Sequence, residues 1–189
     1  MLFRSSQAAA LESADVAALS LSAIKAMTPA VLAKLSTDAI QAMGTAQFAS
    51  LSSAQVVALT TEQIAALETA DLRALAPAMV PNLTTAQVAA LSTNAVLALS
   101  TAQAQALSAA QARALGTDQI SALTTAQLNA LKISALQALT TAQIDALNSD
   151  QMAGINSVQL TSLITAQVAG LSTEDLRALT TAQFSKQIG

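Results

Sequence analysis

Histidine, cysteine, tryptophan and tyrosine are all missing from this sequence, and each absence removes a chemistry. Without histidine there is no imidazole to move protons near neutral pH. Without cysteine there is neither a thiol nucleophile nor a soft metal ligand. Carboxylates, lysines and hydroxyls are the reactive groups left, so an enzyme is the least favoured class and no metal or cofactor site is expected. Charge is scarce as well: 8 Lys and Arg against 11 Asp and Glu leave a net charge of -3, which holds no attraction for nucleic acid. No apolar run approaches the ~18 residues needed to cross a bilayer, so a membrane is not an expected partner. The opening Met1-Leu2-Phe3-Arg4 lacks the apolar core of a secretory signal. Lack of cysteine fits a reducing compartment and equally a secreted chain without disulfides, so it leaves the compartment open.

What the sequence does contain is a period. A large apolar residue recurs every eight positions from Phe3 through Leu11, Leu19 and Met27 to Leu179, and all 23 of these positions hold Leu, Met, Ile or Phe. Counted from that residue, the consensus is L-[ST]-T-A-Q-[VIL]-x-A, as in Leu83-Thr84-Thr85-Ala86-Gln87-Val88-Ala89-Ala90. The sixth position is apolar throughout (Val16, Ile24, Leu32, Phe48) and falls to Ala only at Ala8, Ala104 and Ala112. The first and sixth positions are therefore the expected core. The seventh varies and is often polar (Lys25, Gln41, Arg73, Asn129, Asp145), which points it outward. Small residues dominate the eighth, Gly154 and Gly170 included, as close backbone approach would require.

Alanine, leucine and glutamine favour helix, and strict alternation of apolar and polar residues is absent, so a β-solenoid is disfavoured. One long helix fails for a different reason. Eight residues at about 100° each overshoot two turns by roughly 80°, so the leucine stripe would wind around the helix. The helix must break once per repeat, and the break has a mechanism. Ser or Thr at the second position with Gln three residues later forms a capping box, flanked by apolar first and sixth positions as a hydrophobic staple. Pro29 and Pro77 fit the first helical turn in this frame. Because the third position is itself Ser or Thr in 18 of 23 repeats, the cap is placed only to within one residue. Charge sorting agrees with helices: 10 of 11 acids fall at positions two to five and 6 of 8 basic residues at seven and eight, matching the helix macrodipole.

Helices this short are unstable alone, because those under about 12 residues are marginal in water. The repeats must stack, with Ala at positions four and eight letting helices approach. The expected fold is all-α: an α-solenoid (superhelix) of 23 octapeptide repeats, each a short capped helix and a tight turn. It runs as one continuous array over 3–186, with 1–2 and 187–189 as terminal residues. Two, three or four repeats could complete a coil. The least regular unit, Leu75 to Asn82, carries Pro81 inside its helix and reads as a tolerated defect in preference to a hinge or binding notch.

No candidate site outweighs periodicity. Ser22 and Lys25 match an S-x-x-K nucleophile pattern, but the companion motifs are missing. The pairs Glu12 with Asp15 and Glu68 with Asp71 could hold a cation, yet acids at helix starts explain them more simply. Asn82-Leu83-Thr84 is a glycosylation sequon in form only. Aligned Ser and Thr rows at positions two and three could order water or bind ice, although helix capping is the commoner use of such residues. Catalytic, cofactor and metal residues are thus all expected to be none.

The L-T-T-A-Q consensus, seen again in Leu123-Thr124-Thr125-Ala126-Gln127 and Leu179-Thr180-Thr181-Ala182-Gln183, resembles bacterial tandem octapeptide arrays of the "LTTAQ" type. These occur in large proteins, some of them surface-exposed or secreted. The resemblance covers Phe3 to Lys186 and implies a non-catalytic structural or interaction module, a stiff spacer or adhesive scaffold, in an extracellular or cell-surface setting. A protein partner or end-to-end self-association would suit such a module, and ice or ordered-surface binding is the alternative. The inward and outward faces are testable by urea denaturation. Leu99→Asp should lower stability by several kcal/mol by burying an unpaired charge, whereas Gln105→Lys at a seventh position should change it by less than about 0.5 kcal/mol.

Overall fold

The computed structural model describes residues 10–181 together with Gln183. Among these the chain forms twenty α-helices of four to six residues and one 3-10 helix, with no strand. The described residues group into two compact units, divided between Ala98 and Leu99, each an α-solenoid built from the same repeat.

One repeat shows how the local structure arises. In the Thr85–Ala90 helix the N-cap is Thr84, in extended backbone, and its hydroxyl accepts from the Gln87 N–H. Gln87 Oε1 in turn accepts from the Thr84 N–H at 2.8 Å, completing the capping box. The helix closes at Leu91, whose N–H donates to the Val88 carbonyl and whose φ of -60° and ψ of 137° are extended. Every cap of this kind sits at the second position, which settles the one-residue ambiguity. Two extended residues, the apolar first position and its Ser or Thr neighbour, form the whole connection. No described residue has positive φ, so the turn needs no glycine, which is why a chain with so many turns contains only 5.

Within each unit, helices pack on those three repeats further along: Ser13–Ala18 against Thr37–Gln41 and Thr45–Ala49 against Thr69–Ala74 in the first, Ala109–Ala114 against Ile133–Ala138 and Ser149–Gly154 against Thr173–Ala178 in the second. First and sixth positions fill the core, as Val56, Leu59, Leu128 and Leu131 show. Position eight is partly covered, and at Gly154 an added Cβ would overlap the side chain of Thr125; at Gly170 it would stand 3.1 Å from Thr141 Cβ. The eighth position thus meets a third-position threonine of an earlier coil. Position four does not share this role. Ala54, Ala86, Ala102 and Ala142 are exposed, so their alanine serves helix propensity and not helix approach.

The irregular unit keeps its place in the stack while changing its helix type. Pro77–Asn82 is a 3-10 helix, and it packs against Ser53–Ala58 as an ordinary repeat would. Pro81 has no N–H to close an α-helical bond to Pro77, so the backbone tightens, with the Met79 N–H donating to the Ala76 carbonyl and the Leu83 N–H to Val80. Val80 still reaches the core.

A core truncation and a change at the exposed fourth position separate these roles. Leu128→Ala should lower stability by about 2–5 kcal/mol through the cavity it opens. Ala126→Ser should alter it by less than about 0.5 kcal/mol, both read from urea denaturation midpoints.

Candidate functional site: a glutamine ladder between coils

Fifth-position glutamines are buried almost completely, although their capping role alone would leave half of each amide unused. A glutamine amide offers two donor protons and a carbonyl with two lone pairs. In the first unit, Gln47 Oε1 accepts from the Gly44 N–H at 2.8 Å, and its Nε2 donates to the carbonyls of Val16 at 3.0 Å and Leu19 at 2.8 Å. Gln55 does the same to Ile24 and Met27, Gln63 to Leu32 and Leu35, and Gln87 to Val56 and Leu59. In the second unit Gln143 bonds Ala112 and Leu115, Gln151 bonds Ile120 and Leu123, and Gln167 bonds Leu136 and Leu139.

Each of these glutamines reaches carbonyls 31 and 28 residues earlier, and Gln87 and Gln143 also one 30 residues earlier. Because it lies between three and four octads, this spacing defines the coil that sequence periodicity left open. The acceptors are the sixth-position carbonyl and the first-position carbonyl that follows, which lie at the C-terminal end of a helix in the coil below. Short helices leave such carbonyls without intrahelical donors. Val56 O receives both the Leu59 N–H and Gln87 Nε2, using both lone pairs. No described buried side-chain polar atom lacks a partner.

A second, outer set of bonds runs the other way. Gln41 Nε2 donates to Ala66 O, Asn129 Nδ2 to Gly154 O and Gln137 Nε2 to Ser162 O, each 25 residues ahead. Position seven is on the outside, as its variability implies, yet where it carries an amide it also stitches one coil to the next.

The other sequence candidates dissolve into the repeat. The Ser22 hydroxyl bonds that of Ser20 at 2.9 Å, while Lys25 is exposed on the last turn of the same helix. Asp15 accepts from the Glu12 N–H as a capping residue. Asn82 Nδ2 turns back to the Ala78 carbonyl. Second-position hydroxyls are consumed as caps, as at Ser52, Thr60, Thr84 and Thr140, so of the two Ser and Thr rows the third-position one, exposed at Thr85 and Thr101, is left facing solvent. Among the described residues no three acids come close enough to hold a metal ion.

The ladder is interrupted where the fifth position is not glutamine. Asp175 is buried, and its Oδ2 accepts from the Ser172 N–H and hydroxyl, both at 2.8 Å. A carboxylate cannot donate to the carbonyls below, and it is one methylene shorter. Beside it lies an open groove of about 440 Å³ lined by Asp145, Leu147, Asn148, Ser149, Ser172, Glu174 and Asp175. Asp71 occupies the same register in the first unit. Burial, and then the Glu68 carboxylate, push its pKa up to about 6 against the pull of the Glu68 backbone N–H.

A family model described as the ALTTAQ repeat matches the chain over 24–53, 32–69, 64–104, 96–125 and 122–157. None of the curated proteins matches it.

Gln143→Glu tests the donor half of the ladder while keeping the acceptor for the Thr140 N–H. An anionic oxygen facing the Ala112 and Leu115 carbonyls should lower stability by about 2–4 kcal/mol at neutral pH. A carboxyl held above its ordinary pKa favours the folded state more as pH falls, so chemical denaturation should show the loss shrinking below about pH 5.

Proposed function

The chain belongs to the ALTTAQ repeat family, and on that footing we propose that it is a non-catalytic module, a stiff spacer or adhesive scaffold carried on a bacterial surface or secreted protein. The observation that most supports this reading is where the polar groups go. Hydroxyls at position two, amides at position five and several at position seven are all spent on holding helices and coils together. These side chains are engaged in holding the repeat together. The exposed seventh position differs from repeat to repeat: Lys25, Arg73, Arg113 and Arg177 are cationic and Val57 and Leu97 are apolar. A protein partner would read that row, together with the exposed fourth-position acids such as Glu62 and Asp118, since these side chains vary along the array.

Stiffness follows from the same bonds. Within each unit, repeats with a fifth-position glutamine are tied through a buried amide to a coil roughly 30 residues away, so bending there must break several bonds together. A spacer must be elongated in solution and keep its length as concentration rises. Small-angle scattering with analytical ultracentrifugation should show an elongated particle of constant mass. A compact particle would overturn the spacer reading, and mass rising with concentration would establish end-to-end assembly.

A further inference from the structure

Asp71 stands in the ladder where a glutamine would otherwise reach across the coil. Its side chain is 3 % exposed, and the shared register sets it opposite the carbonyls of Ile40 and Met43, 31 and 28 residues earlier. The next fifth position is Met79, which has no amide, and it belongs to the 3-10 helix. Two successive rungs of the first unit therefore lack the standing donor that Gln47, Gln55, Gln63 and Gln87 supply. The acid differs from methionine in one respect: a carboxyl carries a donor proton when neutral and none when ionised.

We propose that Asp71 is a pH-sensitive latch in the glutamine ladder, closing this seam of the coil when its carboxyl is neutral and loosening it when ionised. The surroundings favour the neutral form. The helices most extensively packed against Thr69–Ala74, namely Thr45–Ala49 and Thr93–Ala98, carry no ionisable side chain, and Thr37–Gln41, whose end lies opposite, carries only the exposed Asp38, a like charge, so nothing there balances a buried negative charge. On its own element the charged groups are Glu68, an exposed like charge at the N-cap, and Arg73, exposed at position seven. At Asp175, the corresponding position of the second unit, the Ser172 hydroxyl donates to the carboxylate, whereas at Asp71 the Glu68 side chain brings a charge in place of that hydroxyl.

The sign follows from proton binding. Ordinary aspartate ionises near 3.8 and Asp71 at about 6, so between these values the folded seam holds a proton that the opened seam releases. Protection of this seam is then greatest in acid and falls as pH rises towards neutrality.

Hydrogen exchange by mass spectrometry on the intact chain tests the latch, with rates corrected for the intrinsic pH dependence. Peptides covering 36–50 and 67–82 should lose about tenfold in protection between about pH 5 and about pH 7.5. Asp71→Asn, which keeps the shape and carries a permanent amide, should make protection in the same peptides independent of pH. Protection of peptides around Gln143 should not change with pH in either protein. Flat protection in the unaltered chain, or the same tenfold change in Asp71→Asn, would overturn the proposal.

Discussion

A helix of six residues is nearly all ends, and the carbonyls at those ends are what the structure must satisfy. An ordinary helix loses four carbonyl partners at its C-terminus out of a dozen or more residues, and water or a cap meets the need. Here the C-terminal carbonyls are turned inward, beside a core of first- and sixth-position side chains, where water cannot serve them. A buried acceptor left alone costs about 1–3 kcal/mol, comparable to what a buried leucine contributes. A chain repeating that deficit in every octad would not fold. The fifth-position amide removes it, and in doing so it dictates which coil lies on which.

That one side chain also links local and long-range order. Its oxygen finishes the N-cap of its own helix while its nitrogen finishes the C-terminus of a helix 28–31 residues earlier. Helix starts and helix ends are therefore satisfied by a single residue shared between coils. Gly44, Gly116 and Ile164 make the hierarchy visible. These N-cap positions have no hydroxyl, yet Gln47, Gln119 and Gln167 still accept from their backbone N–H groups. The cap is dispensable where the amide is kept.

Much of this was legible in the sequence, because the core, the helix breaks and the caps depend on near neighbours. Leu83, Thr84, Gln87 and Val88 state the staple and the capping box within six residues, and the charges state the helix direction. The missing half was the destination of the amide protons, which lies a coil away and has no local pattern. A signal for it existed. Position five contains Gln, Asp, Ala, Val and Met but never Glu, although a capping box accepts Glu and a helix N-terminus favours its charge. Selection against Glu at a site that suits it locally means that the far end of the side chain must donate. The exposed fourth-position alanines misled for the converse reason: a small residue reads equally as close packing or as helix propensity, and periodicity cannot separate the two.

Irregular repeats now take a physical meaning that their spelling alone did not give. Pro81 changes the helix type of its unit without dislodging it, because the stack holds the first and sixth positions whatever the backbone between them does. Replacing the amide is a different kind of change. Alanine at the fifth position, as in Ala95 and Ala135, leaves a rung blank at every pH, whereas an acid makes the rung conditional on its proton. Sequence variation in such an array thus divides by position. At the seventh it alters what the surface presents, at the first and sixth it alters packing, and at the fifth it alters how firmly one coil is held to the next.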